Sequence, residues 1–109
     1  MSAIILDTET HDMNGYPIEI AHVPVYFENG ELVVNKDACF DEYFSRPQPI
    51  SYGAMAVHHI LESDIAGKPG YETFRLPSDV QYVIGHNVDY DIQAIKLADK
   101  SVNVKAICT

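Results

Sequence analysis

The stretch Val80-Gln81-Tyr82-Val83-Ile84-Gly85-His86-Asn87-Val88-Asp89-Tyr90-Asp91 decides the fold class. Val80 to Ile84 reads as a buried strand, since a short apolar run ended by a breaker suits a strand covered on both faces. Gly85-His86-Asn87 interrupts it, and Asn87 is expected to cap a helix from Val88 to about Ala98. Val88, Ile92 and Ile95 fall on one side of that helix, so it packs by that stripe. Val104 to Ile107 then opens another buried-looking strand.

Working back toward the amino terminus, Ala3-Ile4-Ile5-Leu6 is a short apolar run ending at Asp7, the first buried strand. Ile18 to Phe27 resumes strand character, although Pro24 lacks a ladder donor and implies an edge or bulge. Asn29-Gly30 between apolar runs predicts a type I′ hairpin turn, with Leu32-Val33-Val34 returning. Phe40 to Phe44 reads as a further extended piece. Arg46-Pro47-Gln48-Pro49 is a stiff connector. Ser51 is expected to cap a short helix through Met55 to Ile60, and a weak helix from Glu72 to Leu76 stops at Pro77. Three early strands, then helix, strand, helix and strand, make an α/β layout with a mixed sheet and flanking helices. The 109 residues suit one domain. A strand opened in the last residues leads us to expect more of that domain beyond Thr109.

Sixteen acidic residues against seven basic give a formal charge of −9. A plain phosphate-binding surface would lean the other way, because backbone contacts come mainly from Lys and Arg. A metal-dependent nuclease is compatible with this balance, since cations neutralise the carboxylates and meet the phosphate themselves. Cys39 and Cys108 are too few and too far apart for a disulfide framework or zinc knuckle, and read as free buried thiols. No signal peptide or membrane-length apolar run is evident, so the expected location is cytoplasmic, without membrane contact.

Asp7-Thr8-Glu9 stands where the first strand ends. Residues two apart on a strand share a face, so both carboxylates can converge on one point. Two adjacent like charges are most readily kept ionised by a cation between them. Asp91 lies one turn into the helix that follows Asn87, from where its carboxylate reaches back over the strand ends. Taken singly, each piece has a plain structural reading: a solvated strand end, and first-turn acids favoured by the helix dipole.

Together they are more specific. Asp7-Thr8-Glu9-Thr10 and His86-Asn87-Val88-Asp89-Tyr90-Asp91 resemble the first two motifs of the DEDD exonuclease superfamily. Met13-Asn14, Ile18-Glu19-Ile20-Ala21, Met55-Ala56-Val57-His58-His59-Ile60 and Lys68-Pro69 also stand where that family carries similar residues. The resemblance runs from about Ile4 to Thr109. It implies a ribonuclease-H-like mixed sheet, of which residues 1–109 are the amino-terminal portion with the carboxy-terminal part missing. It further implies a 3′→5′ exonuclease acting at DNA or RNA 3′ ends with two Mg²⁺ or Mn²⁺ ions. In that pattern Asp7 bridges both metals, Glu9 holds the metal that activates water, and Asp91 binds the one near the leaving group. Thr8 and Thr10 match positions that meet the terminal nucleotide; Met13 and His58 match those that pack on its sugar and base. Asn87 and Tyr90 line the same pocket.

Hard carboxylate oxygens suit such cations, and two of them relieve charge on attacking and leaving oxygens alike. Asp12 stands where the family usually has glycine. The family's third motif, His-x-x-x-x-Asp, supplies a fourth ligand and the general base. It is expected beyond the strand at Val104, and none of His11, His22, His58, His59 or His86 is read as standing in that pattern. The 109-residue chain is therefore expected not to turn over. His58-His59 is read as helix-end histidines and not a zinc pair, and Asp37, Asp41 and Glu42 as a solvated surface. A non-catalytic binding or interaction fragment of the same fold is the alternative, and a small cation-binding protein a third. An exposed sheet edge would favour homo-oligomers.

Overall fold

A computed structural model describes residues 2–13, 15–46 and 48–109. Asn14 of the Met13-Asn14 pair and Pro47 of the connector lie outside them. Among these residues, six strands form one mixed sheet: β1 (Ala3–Thr10), β2 (Pro17–Glu28), β3 (Glu31–Val34), β4 (Phe40–Tyr43), β5 (Tyr82–Gly85) and β6 (Lys105–Cys108). The helices are α1 (Tyr52–His58), α2 (Glu62–Ile65) and α3 (Val88–Ala98). Strand order is β3-β2-β1-β5-β6, with β4 also on β2. β1 is antiparallel to β2 and parallel to β5, which is parallel to β6. The expected α/β architecture is borne out.

One face of the sheet is covered. Ile4, Leu6, Ile20 and Val83 pack there with Val88, Ile92 and Ile95 of α3 and with Phe44 and Phe74. A second cluster, Ile18, Ile50, Ile60 and Ile65, holds the α1–α2 segment on the end of β2. The other face carries a groove of about 480 Å³ lined by Ala3, Val25, Tyr26, Phe27, Leu32, Ile84 and Ile107.

Pro24 sits within a long strand, yet its place obeys its chemistry. The outer edge of β2 pairs with β4 over Glu19–His22 and with β3 over Val25–Glu28. Pro24 falls in the gap, where its carbonyl accepts from Asn35 N–H at 2.9 Å and its missing donor orphans nothing. Asn29 (φ 53°) and Gly30 (φ 79°) both take positive φ, as a type I′ turn demands.

Several expectations need correction. Only a 3₁₀ turn at Tyr71–Thr73 forms in place of the expected weak helix, because Phe74 turns extended (φ −63°, ψ 138°) to pack in the core and Pro77 follows soon after. The α1 helix stops at His58, and His59 adopts a left-handed C-cap at φ 63°. β6 is an exposed edge strand, with Ile107 41% accessible. Cys39 and Cys108 are free but exposed, since each lies at the rim of the sheet. No helix among the described residues is long and apolar enough to cross a membrane.

Candidate active site

β5 runs beside β1 only as far as Ile5, which pairs with Ile84. At Gly85 the chain leaves the sheet so close to β1 that a side-chain carbon there would lie 3.1 Å from the Leu6 carbonyl and 3.1 Å from Val88. Asn87 follows at φ 55°, ψ 41°, and its side chain makes no capping bond. Asparagine is therefore present for its tolerance of the left-handed region and not as the expected cap. This turn aims the first coil of α3 back at β1.

Asp91 takes the place that β5 vacates. Its Oδ1 accepts the Thr8 backbone N–H at 3.0 Å and the Thr8 hydroxyl at 2.7 Å. One residue earlier, Tyr90 meets Thr10, oxygen to oxygen, at 2.6 Å. The Thr10 hydroxyl donates to the Asp12 carbonyl, so the Tyr90 hydroxyl is the donor to Thr10. His58 Nδ1 accepts from Ile60 N–H, which leaves Nε2 to carry the proton and donate to the Thr10 carbonyl at 3.1 Å. Ser51 caps α1 by accepting from Ala54 N–H at 3.1 Å and so fixes the helix that presents His58.

Thr8 and Thr10 are buried on the covered side; Asp7 is exposed and Glu9 half-buried, on the opposite pleat. Burial raises the Glu9 pKa, the Asp7 charge adds to that, His58 opposes it, and Asp91 raises it further. Asp91 is likewise raised, first by burial; the Thr8 bonds pull it down and Asp7 pushes it up. These acids feel one another, although Asp7 and Asp91 are 84 positions apart, a cation's natural setting. The donor set is also the right kind for a hard divalent ion. Spacing is another matter: no three His, Cys, Asp or Glu side chains among the described residues form a group that would hold a metal ion. Asp91 instead has Oδ1 committed to Thr8.

Beside these acids lies a cleft of about 470 Å³ whose walls include Glu9, Thr10, Met13, His58 and Tyr90. Asp12, Ser51, Gly53, Ala54 and Val57 complete it, none of them expected from sequence to be a site residue. Thr8 is at Asp91 instead, and Asn87 is not among the lining residues. Glu19 was also missed as a site residue. It pairs with Glu9 across β1 and β2. Burial, then neighbouring Asp41, then Glu9 and Asp7, push it up to about 7. Its neighbours Ile18 and Ile20 are fully buried, but Ile-Glu-Ile alternation reads as an ordinary strand with its acid outward, so the sequence carried no signal for it. Asp41 is exposed, as expected of a solvated surface, and stands beside Glu19 in this acidic row.

The protein named exodeoxyribonuclease 10 in two strains of Escherichia coli is 36% identical over 90 residues, covering 80% of this chain and 37% of the relative. A solved structure of exonuclease X in complex with 5′ overhanging duplex DNA superimposes with a TM-score of 0.70 at 27% identity, over 97% of this chain and 58% of that one. The resemblance to DEDD exonucleases is borne out. The chain thus spans little more than a third of the length of the curated relatives it matches. No protein-family model matches it.

Two departures from the DEDD pattern can now be placed. Asp12 needs no left-handed backbone; its Oδ1 accepts Met13 N–H and its carbonyl accepts Gly15 N–H. The backbone carbonyl closes that turn on Gly15, and the side chain covers the next amide. The spacing His-x-x-x-x-Asp does occur, at His59/Asp64 and at His86/Asp91. Neither pair serves as a third motif here. Asp64 accepts Leu61 N–H at the start of α2, and His86 faces the Thr109 carbonyl at 3.2 Å.

Proposed function

We propose that this chain is the amino-terminal portion of a single exonuclease domain that hydrolyses phosphodiester bonds at nucleic-acid 3′ ends. The observation that carries this reading is the pair of hydrogen bonds from Thr8 to Asp91, which joins the two motif segments beside an open cleft. Asp7, Glu9 and Asp91 would hold Mg²⁺ or Mn²⁺, and the ions would supply charge relief to the attacking and leaving oxygens. The Thr8 bonds occupy only Oδ1 of Asp91, so Oδ2 is the oxygen it would offer a metal.

The protein's own groups do the rest. Met13 and Val57 offer apolar surface to a terminal nucleoside, and His58 and Tyr90 flank it. His58, held by Ile60 and Thr10, is fixed in one tautomer and serves as a wall, not a base. His58 is the one histidine lining the cleft, so a polypeptide of these 109 residues is expected to bind without turning over.

Calorimetric titration tests this. Thymidine monophosphate is expected to bind in the presence of Mg²⁺ or Mn²⁺ and not in chelator, with Asp7→Asn abolishing the metal-dependent heat. Nucleotide binding that ignores both metal and Asp7 would sink the reading.

A further inference from the structure

His22 is a buried titratable side chain that the proposed function does not use. It stands on the covered face of β2, opposite Leu6 on β1 and Phe40 on β4, and is only 9% exposed. Its ring stacks on Phe40, with centroids 4.7 Å apart and planes 8° from parallel, and meets Phe74 edge-on at 6.1 Å. Nδ1 is buried and has no hydrogen-bond partner among the described residues. A neutral imidazole tolerates this, because Nδ1 can be the bare acceptor while Nε2 carries the proton. The imidazolium cannot: both nitrogens are donors, and an N–H at Nδ1 would be buried with nothing to accept it. Attraction of the cation to the Phe40 ring does not replace that acceptor.

No charge on the surrounding elements offsets this. Glu42 of β4, and Glu72 and Arg75 flanking Phe74, are exposed. Lys36 and Asp37, in the turn before β4, are exposed as well. On α3, Lys96 is exposed and Asp91 is taken up by Thr8. Asp7, Glu19 and Asp41 lie on the opposite face of the sheet. Burial alone holds the His22 imidazole below the usual value of 6.5.

The element against His22 that is most readily moved is β4. It is four residues long, and among the described residues it pairs only with β2. Its approaches are tied down by Asn35 N–H on the Pro24 carbonyl at 2.9 Å and by Phe44 N–H on the Ile18 carbonyl at 2.8 Å. Residues 36–43 can therefore swing out between these ties while the sheet behind them stays closed.

We propose that His22 is an acid-operated latch: a proton taken up at Nδ1 breaks its stack with Phe40, and residues 36–43 leave β2. Asp41 leaves Glu19 with them, so the covered face of the sheet controls the acidic row on the other. A histidine whose value is lower in the docked state stabilises docking above its ordinary value, and that stabilisation is lost as pH falls toward the docked one. Below pH 6.5 the docking constant therefore falls by up to about tenfold per pH unit. Relief of the repulsion between Glu19 and Asp41 acts the other way, so a variant without the imidazole is the reference.

The test is amide hydrogen exchange by NMR, read as protection factors across β4 and β1 from about pH 7.5 to about pH 5. His22→Phe fills the stack and takes up no proton, and His22→Leu is a second apolar variant should the first not fold. The ratio of variant to parent protection in β4 is expected to grow by up to about tenfold per unit below pH 6.5, with no such growth in β1. A β4 ratio that stays constant with pH overturns the latch. Equal growth in β1 overturns it too, since the proton would then unfold the whole sheet and not release one strand.

Discussion

Thr8 and Asp91 are joined twice, backbone N–H and side-chain hydroxyl both reaching the same carboxylate oxygen, across 83 positions of sequence. The N–H is one that β5 would have paired had it run further along β1. The substitute acceptor is charged, so the strand's edge is closed by a group with chemistry of its own.

Thr8→Val keeps the shape and the N–H bond but removes the hydroxyl donor. A hydrogen bond to a charged group contributes roughly 1.5–3 kcal/mol, and that is the loss expected in urea unfolding. Thr8→Ser should retain most of it. A valine variant as stable as the parent would show that the hydroxyl bond adds nothing.

Gly85→Ala tests the close approach that turns the chain toward β1. The added carbon would sit 3.1 Å from the Leu6 carbonyl and from Val88, so β1 or α3 must give by a few tenths of an ångström. Overpacking of this kind costs about 1–3 kcal/mol. The Thr8 amide resonance should shift as Asp91 is displaced, and an unmoved resonance would argue against the coupling.

Arg46 and Glu62 are an unequal pair: the arginine side chain is 6% exposed and the glutamate 51%. Glu62 also accepts Ile50 N–H, and Arg46 Nε is buried without a partner. Glu62→Ala strands a buried cation and should cost about 3 kcal/mol, whereas Arg46→Met, which leaves a carboxylate that water can cover, should cost markedly less. Thermal melts of the two variants would show the order, and equal losses would refute it.

Asp99 supplies a pH dependence remote from the site. The Ser101 hydroxyl holds its carboxyl below the usual value of 3.8; burial opposes, and Leu76 N–H, Ser101 N–H and Arg75 assist. A folded pKa below the unfolded one means the stabilisation is present above the unfolded value and lost as pH falls through the folded one. Chemical unfolding between about pH 5 and pH 2.5 should therefore show a fall that Asp99→Asn reduces, the parent converging on the variant at the acid end. Parallel curves for the two proteins would rule out the assignment.

Residue order alone determined the alternation of strands and helices, the Asn29-Gly30 hairpin, the extent of α3 and the pairing of Asp7 with Glu9 on one face, because each depends on local periodicity or turn chemistry. The same local reading went astray at Asn87, whose identity suits a cap and a left-handed residue equally, and at Ile107 and the cysteines, whose burial depends on what covers an edge. Tertiary structure decided the rest. Asp91 comes to rest on Thr8 because β5 ends early and Gly85 lets it turn. Glu19 and Asp41 join the acidic row because β4 pairs with β2 there. Such meetings join residues far apart in the chain, and no window along the sequence contains both partners.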